Sequence, residues 1–161
     1  MPKKNIFNKK VPFPLYKKII SLVPICCVDA VFKAGVKVFL FKRTYEPAKN
    51  EWWFVGGRVL KNESFRNAVL RKVKEEVGVE VDILRMIGVY ETFFDRSRFD
   101  TKKRKVSTHS INVCFVVEPK DKEFKFRLNE EYGSYRTITE IDKNFHPYIK
   151  KVLRDSGLNL G

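Results

Sequence analysis

A helix that closes on two neighbouring carboxylates constrains this chain more than any other feature. Between Gly56 and Val79 the sequence reads GGRVLKNESFRNAVLRKVKEEVGV. Gly78 has the character of the left-handed residue that ends a helix, and Glu75 and Glu76 stand side by side just before it. Carboxylates placed there repel one another and face the negative end of the helix dipole. A cation seated on the pair relieves both conflicts. With a glycine pair and an arginine upstream, the natural candidate is a divalent metal ion that bridges carboxylates to phosphates.

The spacing extends the pattern. Gly57 is followed after five residues by Glu63 and after seven more by Arg71; Val73, Glu75, Glu76, Gly78 and Val79 complete it. This segment resembles the Nudix box, the loop–helix–loop signature of enzymes that hydrolyse nucleoside diphosphates linked to another group. Seven of eight defining positions match, and the eighth, a glutamate directly after the arginine in that family, is Lys72 here. The resemblance implies a Nudix-type α/β/α sandwich with a mixed β-sheet, and magnesium as cofactor with manganese as the alternative ion. Glu75 and Glu76 match the metal-binding pair, and Gly56 matches the residue whose backbone carbonyl completes the site. Glu63 and Arg71 match the pair that braces loop against helix, so Arg71 belongs with Glu76 in the catalytic group through orientation. Lys72 cannot ligate at neutral pH and lies i,i+4 to Glu76, within pairing distance. It removes one candidate base and lowers the expected number of metals without removing the site.

The flanks are similar to the GDP-mannose mannosyl hydrolase subfamily over roughly residues 23–150. The residues that carry this are Phe41-Lys42-Arg43-Thr44, Pro47-Ala48, Trp52-Trp53-Phe54, Gly56-Gly57-Arg58 and Asp29 after an apolar run. Further along come Gly88-Val89-Tyr90-Glu91 with Phe93 and Asp95, and Tyr135-Arg136. The resemblance implies that Arg43 and Arg58 contact the diphosphate, a task that suits the bidentate guanidinium, and that Asp29 contributes to substrate binding. That subfamily attacks the sugar carbon with a late-loop histidine base beside a metal-binding glutamine. Those positions are Glu131 and Tyr132 here, and a second expected histidine is Thr92. Tyrosine is a poor base at neutral pH, and both histidines, His109 and His146, fall where a structural or surface role is expected. Glu131 or Glu130 is therefore the expected proton acceptor, with Glu131 also a candidate metal ligand.

A chain of 161 residues suits one domain. The expected organisation is a basic arm and short helix over residues 1–22, then a single domain over 23–161. Cys26, Cys27 and Cys114 match no zinc spacing and read as buried thiols in a reducing compartment. The apolar run from Ile19 to Phe32 is interrupted by Pro24 and Asp29, which argues against a signal peptide or a membrane span. The expected location is cytoplasmic and the expected assembly, on the resemblance, a homodimer. The net charge of +14 is concentrated in Lys3, Lys4, Lys9, Lys10, Lys17 and Lys18 and in the segment from Arg96 to Lys105. It fits a solvated surface or the steering of anionic substrates. Nucleic acid is not the expected partner, because no recognised binding motif or interleaved stacking aromatics accompany the charge.

Hydropathy patterning places a helix over Leu15–Leu22 and strands over Ile25–Phe32, Val36–Phe41, Trp52–Val55, Val79–Phe94, Ser107–Val117, Phe124–Leu128 and Tyr135–Ile138. The box helix is expected from Ser64 to Val77 with Ala68, Leu70, Val73 and Val77 as its apolar stripe, and a last helix from Glu140 to Arg154. Three functions remain open: a magnesium-dependent hydrolase of a nucleotide-sugar such as GDP-mannose, a pyrophosphatase acting on ADP-ribose or another nucleoside diphosphate derivative, and a catalytically inactive binding protein for nucleotides or nucleic acid.

Overall fold

A computed structural model describes residues 10–161; Lys3, Lys4 and Lys9 of the basic arm lie outside them. The elements in chain order are α1 (Phe13–Ile20), β1 (Ile25–Ala34), β2 (Lys37–Arg43), β3 (Trp52–Trp53), β4 (Val55–Arg58), α2 (Phe65–Val77), β5 (Val81–Phe94), β6 (Thr108–Pro119), β7 (Tyr132–Ile138) and α3 (Pro147–Asp155). They build one mixed sheet with a backbone of order β3-β2-β1-β6-β5. β1 and β6 run parallel, from Ile25 opposite Ser110 to Phe32 opposite Val117, while the other pairings are antiparallel.

Side chains alternate across this sheet, as strand geometry requires. Val28, Ala30 and Phe32 of β1, Phe39 and Phe41 of β2, and Val113, Phe115 and Val117 of β6 pack with α2. Val31, Val38, Leu40 and Cys114 point the other way, onto Tyr148, Ile149, Val152 and Leu153 of α3. The result is the expected α/β/α sandwich.

One departure from regular pairing makes room for a site. β1 and β2 are in register only near their turn, from Phe32 opposite Phe39 to Ala34 opposite Lys37. Beyond it they diverge. β4 takes over the free edge of β1, setting Gly56 opposite Asp29 and Gly57 opposite Val28, while β3 pairs with β2 at Phe41 and Lys42.

Several expected boundaries move. α1 begins at Phe13, with Pro12 at its N-cap and Pro at the first turn, and stops at Ile20. Phe124–Leu128 is no strand: its Arg127 amide and that of Asn129 just beyond it donate to the carbonyls of Val77 and Glu76, at 2.9 Å each. α3 starts at Pro147 rather than Glu140, because His146 caps it and proline favours the first helical turn. On α2 the buried face is Ala68, Val69, Val73, Glu76 and Val77, and Leu70 lies outside it. Of the cysteines only Cys114 is fully buried; all three are free thiols. No helix among the described residues is long and apolar enough to cross a membrane.

Candidate active site

The box helix is set by its ends. Ser64 caps the first turn by accepting from the Asn67 amide, and Gly78 ends the last turn at φ 73°, a left-handed conformation that glycine adopts freely. This phase turns Glu76 inward, where only 3% of it is exposed. Its Oε1 pairs with Lys72 Nζ at 2.5 Å, and its Oε2 accepts from the Tyr132 hydroxyl at 2.9 Å. Burial pushes the Glu76 carboxyl up, against the pull of the Lys72 ammonium and of the hydrogen bonds from Lys72 and Tyr132. Glu75, one residue earlier, faces solvent and pairs with Arg71 at 3.0 Å and with Lys72 at 3.9 Å.

Arg71 forks Glu63 with bonds of 2.6 and 2.8 Å and donates to the Arg58 carbonyl at 3.0 Å. Glu63 in turn accepts from the Leu60 amide. The strand–helix loop is thereby tied to the helix, the bracing arrangement expected of this pair. Neither Arg71 nor Glu75 lines the site cavity.

A cavity of about 780 Å³ opens beside β1, β4 and α2, and its wall contains Asp29, Arg43, Gly56, Arg58, Glu76, Glu130 and Glu131. Seven of the expected site residues therefore meet in one place. Gly56 approaches β1 so closely that a Cβ there would collide with the Asp29 carboxylate and the Val28 carbonyl. Arg43 is held by its Nε bond to the Pro47 carbonyl at 2.8 Å, and the Arg58 guanidinium lies 5.5 Å from the centre of the Tyr16 ring. Asp29 is buried and accepts from the Tyr148 hydroxyl. Its carboxyl is pushed up to about 7, first by burial, with Tyr148 and Arg43 opposing and Glu76 assisting.

The late-loop acids differ from one another. Both oxygens of Glu131 accept from Arg98 Nη2 at 2.9 Å, with Arg43 4.0 Å away. Glu130 is exposed, and its backbone carbonyl accepts from the Thr44 hydroxyl. Tyr132 is fully engaged with Glu76 and Phe54, and burial drives its hydroxyl well above the ordinary tyrosine range. It offers no base. His109 stacks on Phe93 and lies 3.1 Å from Glu91, and His146 caps α3; neither lines the cavity.

Residue type alone gave no role to Tyr16, Arg98, Phe99 or Tyr148. Tyr16 and Phe99 bring α1 and the Arg96–Lys105 segment together over the cavity, ring centres 5.7 Å apart. The charged cationic groups on the wall are Lys10, Arg43, Arg58, Lys72 and Arg98. The acidic ones are Asp29, Glu46, Glu76, Glu130 and Glu131, so the wall carries no anionic surplus. Among the described residues no three His, Cys, Asp or Glu side chains converge as they would around a metal ion. With Glu76 closed by Lys72 and Tyr132, and Glu131 by Arg98, the donor set as folded does not fit a resident divalent ion.

A family model described as the NUDIX domain matches residues 24–155. A relative named low-salt glycan biosynthesis protein Agl8, from Haloferax volcanii, is 30% identical over 144 residues, covering 89% of each chain. An ADP-ribose pyrophosphatase from Methanocaldococcus jannaschii is 28% identical over 157 residues, covering 94% of this chain and 87% of that one. Among solved structures, a MutT NUDIX hydrolase from Burkholderia pseudomallei superposes with a TM-score of 0.65 at 16% identity, over 83% of this chain and 98% of that one. At that identity the likeness speaks for the fold alone.

Proposed function

The chain belongs to the Nudix hydrolase family, and on that premise we propose that it hydrolyses a nucleotide-sugar, with GDP-mannose as the leading substrate. The observation that carries this reading is the convergence of Arg43 and Arg58 on one cavity with a mixed polar and aromatic wall. Guanidinium groups on either side of a diphosphate hold it by paired, charge-assisted hydrogen bonds and stabilise its departure. The name of the Haloferax relative supports a sugar-linked substrate. Asp29 lies on the same wall and serves substrate binding.

In this reading Glu131, with Glu130 beside it, takes the proton of the attacking water. Arg98 now neutralises Glu131; drawn onto the incoming diphosphate, it would release that carboxylate when substrate is present. Glu76 and Arg71 keep the box rigid beneath the reacting bond. Magnesium, or manganese, enters as the counter-ion that a nucleoside diphosphate brings with it. Gly56, Glu75, Glu76 and Glu131 are the positions that the family pattern assigns to such an ion. A homodimer in the cytoplasm completes the proposal, and light scattering tests the assembly.

A second reading, pyrophosphate cleavage of ADP-ribose, draws on the name of the Methanocaldococcus relative and on the lack of a histidine in the cavity wall. One experiment separates them. Nucleotide-sugars and ADP-ribose are incubated with the protein in oxygen-18 water, and the products are resolved by chromatography and mass. Label in the free sugar supports the first reading, and label in a phosphate product, whether the nucleotide or the sugar phosphate, the second. Absence of turnover on every substrate would leave only a non-catalytic binding protein.

A further inference from the structure

We propose that Lys72 is the resident cation of this box: its ammonium holds the place from which a divalent ion would neutralise Glu76 and Glu75, so the resting site binds no free divalent ion of its own. The geometry is direct. Lys72 Nζ is 2.5 Å from Glu76 Oε1 and 3.9 Å from Glu75 Oε2, and so lies between the two carboxylates that close the helix. The other Glu76 oxygen is taken by Tyr132. The lysine stem lies against Gly57, where a Cβ would come within 2.6 Å of its Cε. Glycine at that position thus makes room for the lysine, at a φ of 153° that other residues rarely adopt.

The electrostatics agree. A buried carboxylate is costly unless paired, and here the pairing is internal to one helix, at the i,i+4 spacing that brings side chains together. A divalent ion would have to expel the ammonium from a carboxylate that is almost fully buried, and the cavity wall offers no surplus negative charge to attract it. The exchange also changes the chemistry. An ammonium supplies one charge and, beside the N–H held by Glu76, at most two donors for phosphate oxygens, but it does not act as the Lewis acid that a metal ion provides. The inference deepens the hydrolase reading by naming what neutralises the box, and it rests on the placement of the site rather than on the substrate.

The test is Mn2+ binding followed by electron paramagnetic resonance, on chelator-stripped full-length protein without nucleotide. Wild type should hold no stoichiometric Mn2+ and should behave like Glu76→Gln. Lys72→Glu should gain one site at least about tenfold tighter, a conservative figure for reversing a charge a few ångströms from a divalent ion. Lys72→Gln, which removes the charge without adding a ligand, should fall between them. A wild-type protein that binds one Mn2+ and loses it in Glu76→Gln would overturn the proposal, whatever the variants do. Unchanged affinity in both Lys72 variants, with melting profiles like the wild type, would overturn it as well. Failure to turn over any nucleotide-sugar would sink the substrate reading and leave the Mn2+ result standing.

Discussion

Asp29 is the residue whose protonation should be felt by the whole protein. Its carboxyl is raised from 3.8 to about 7, chiefly by burial, so the folded chain binds this proton more tightly than the unfolded one. The stabilising contribution is therefore complete below about pH 4 and is lost as pH climbs through about 7. His146 works in the opposite sense, since burial lowers its pKa from 6.5 and folding favours its neutral form. The comparison with Asp29→Asn isolates the carboxyl. Urea unfolding between pH 5 and pH 8 should show the variant gaining on wild type by about 3 kcal/mol across the range. At the cavity wall, Arg43→Ala and Arg58→Ala should each lower kcat/KM on the preferred nucleotide-sugar about thirtyfold, the loss of one charge-assisted hydrogen-bond donor. Lysine at position 43 should restore little, because an ammonium cannot fork a phosphate. Asp29, Arg43 and Arg58 were legible as candidates through a family resemblance carried by short local runs of sequence. Arg98 on Glu131 and Tyr148 on Asp29 were not, since partners 33 and 119 residues apart meet only after the sheet has formed.

At the scale of elements, α2 shows why some boundaries can be read and others cannot. Its ends are written in single residues, and each end makes a prediction. Ser64→Ala removes the bond from the Asn67 amide and should cost about 1 kcal/mol. Gly78→Ala should cost more than about 1 kcal/mol, because φ is 73° and the new Cβ would lie 3.1 Å from the Arg127 side chain. Shifts of the urea midpoint at constant slope measure both. Phe124–Leu128 is the instructive failure. Its alternating Phe124, Phe126 and Leu128 do pack on the core, so the periodicity was a true signal of burial. The Arg127 amide, however, like that of Asn129 just beyond, is spent on one of the last carbonyls of α2 rather than on a neighbouring strand. Hydropathy reports which side chains are buried, and it is silent about which backbone group answers each donor. The stripe expected on α2 holds at Ala68, Val73 and Val77, with Val69 buried in place of Leu70. Glu76 belongs to its buried face, and a charged residue there is invisible to a pattern drawn from apolar residues alone.

For the molecule as a whole, a net charge of +14 coexists with a cavity wall whose cationic and acidic side chains balance in number. Among the described residues the surplus therefore lies outside the cavity. Part of it stands on α1, where Lys17 and Lys18 meet Arg104 around a shallow depression beside Val106. A surface field of that sign raises the local concentration of an anionic substrate without touching the chemical step. Screening should then act on encounter alone. Between about 0.05 M and about 0.5 M salt, kcat/KM should fall about tenfold while kcat stays level, since the Debye length shrinks from more than about 10 Å to a few ångströms. Charge reversal at Lys17, Lys18 and Arg104 together should reproduce the loss at low salt and remove most of the remaining salt dependence. A kcat/KM that ignores both salt and charge reversal would mean that the basic surface serves solubility, and that substrate capture rests on the arginines inside the cavity.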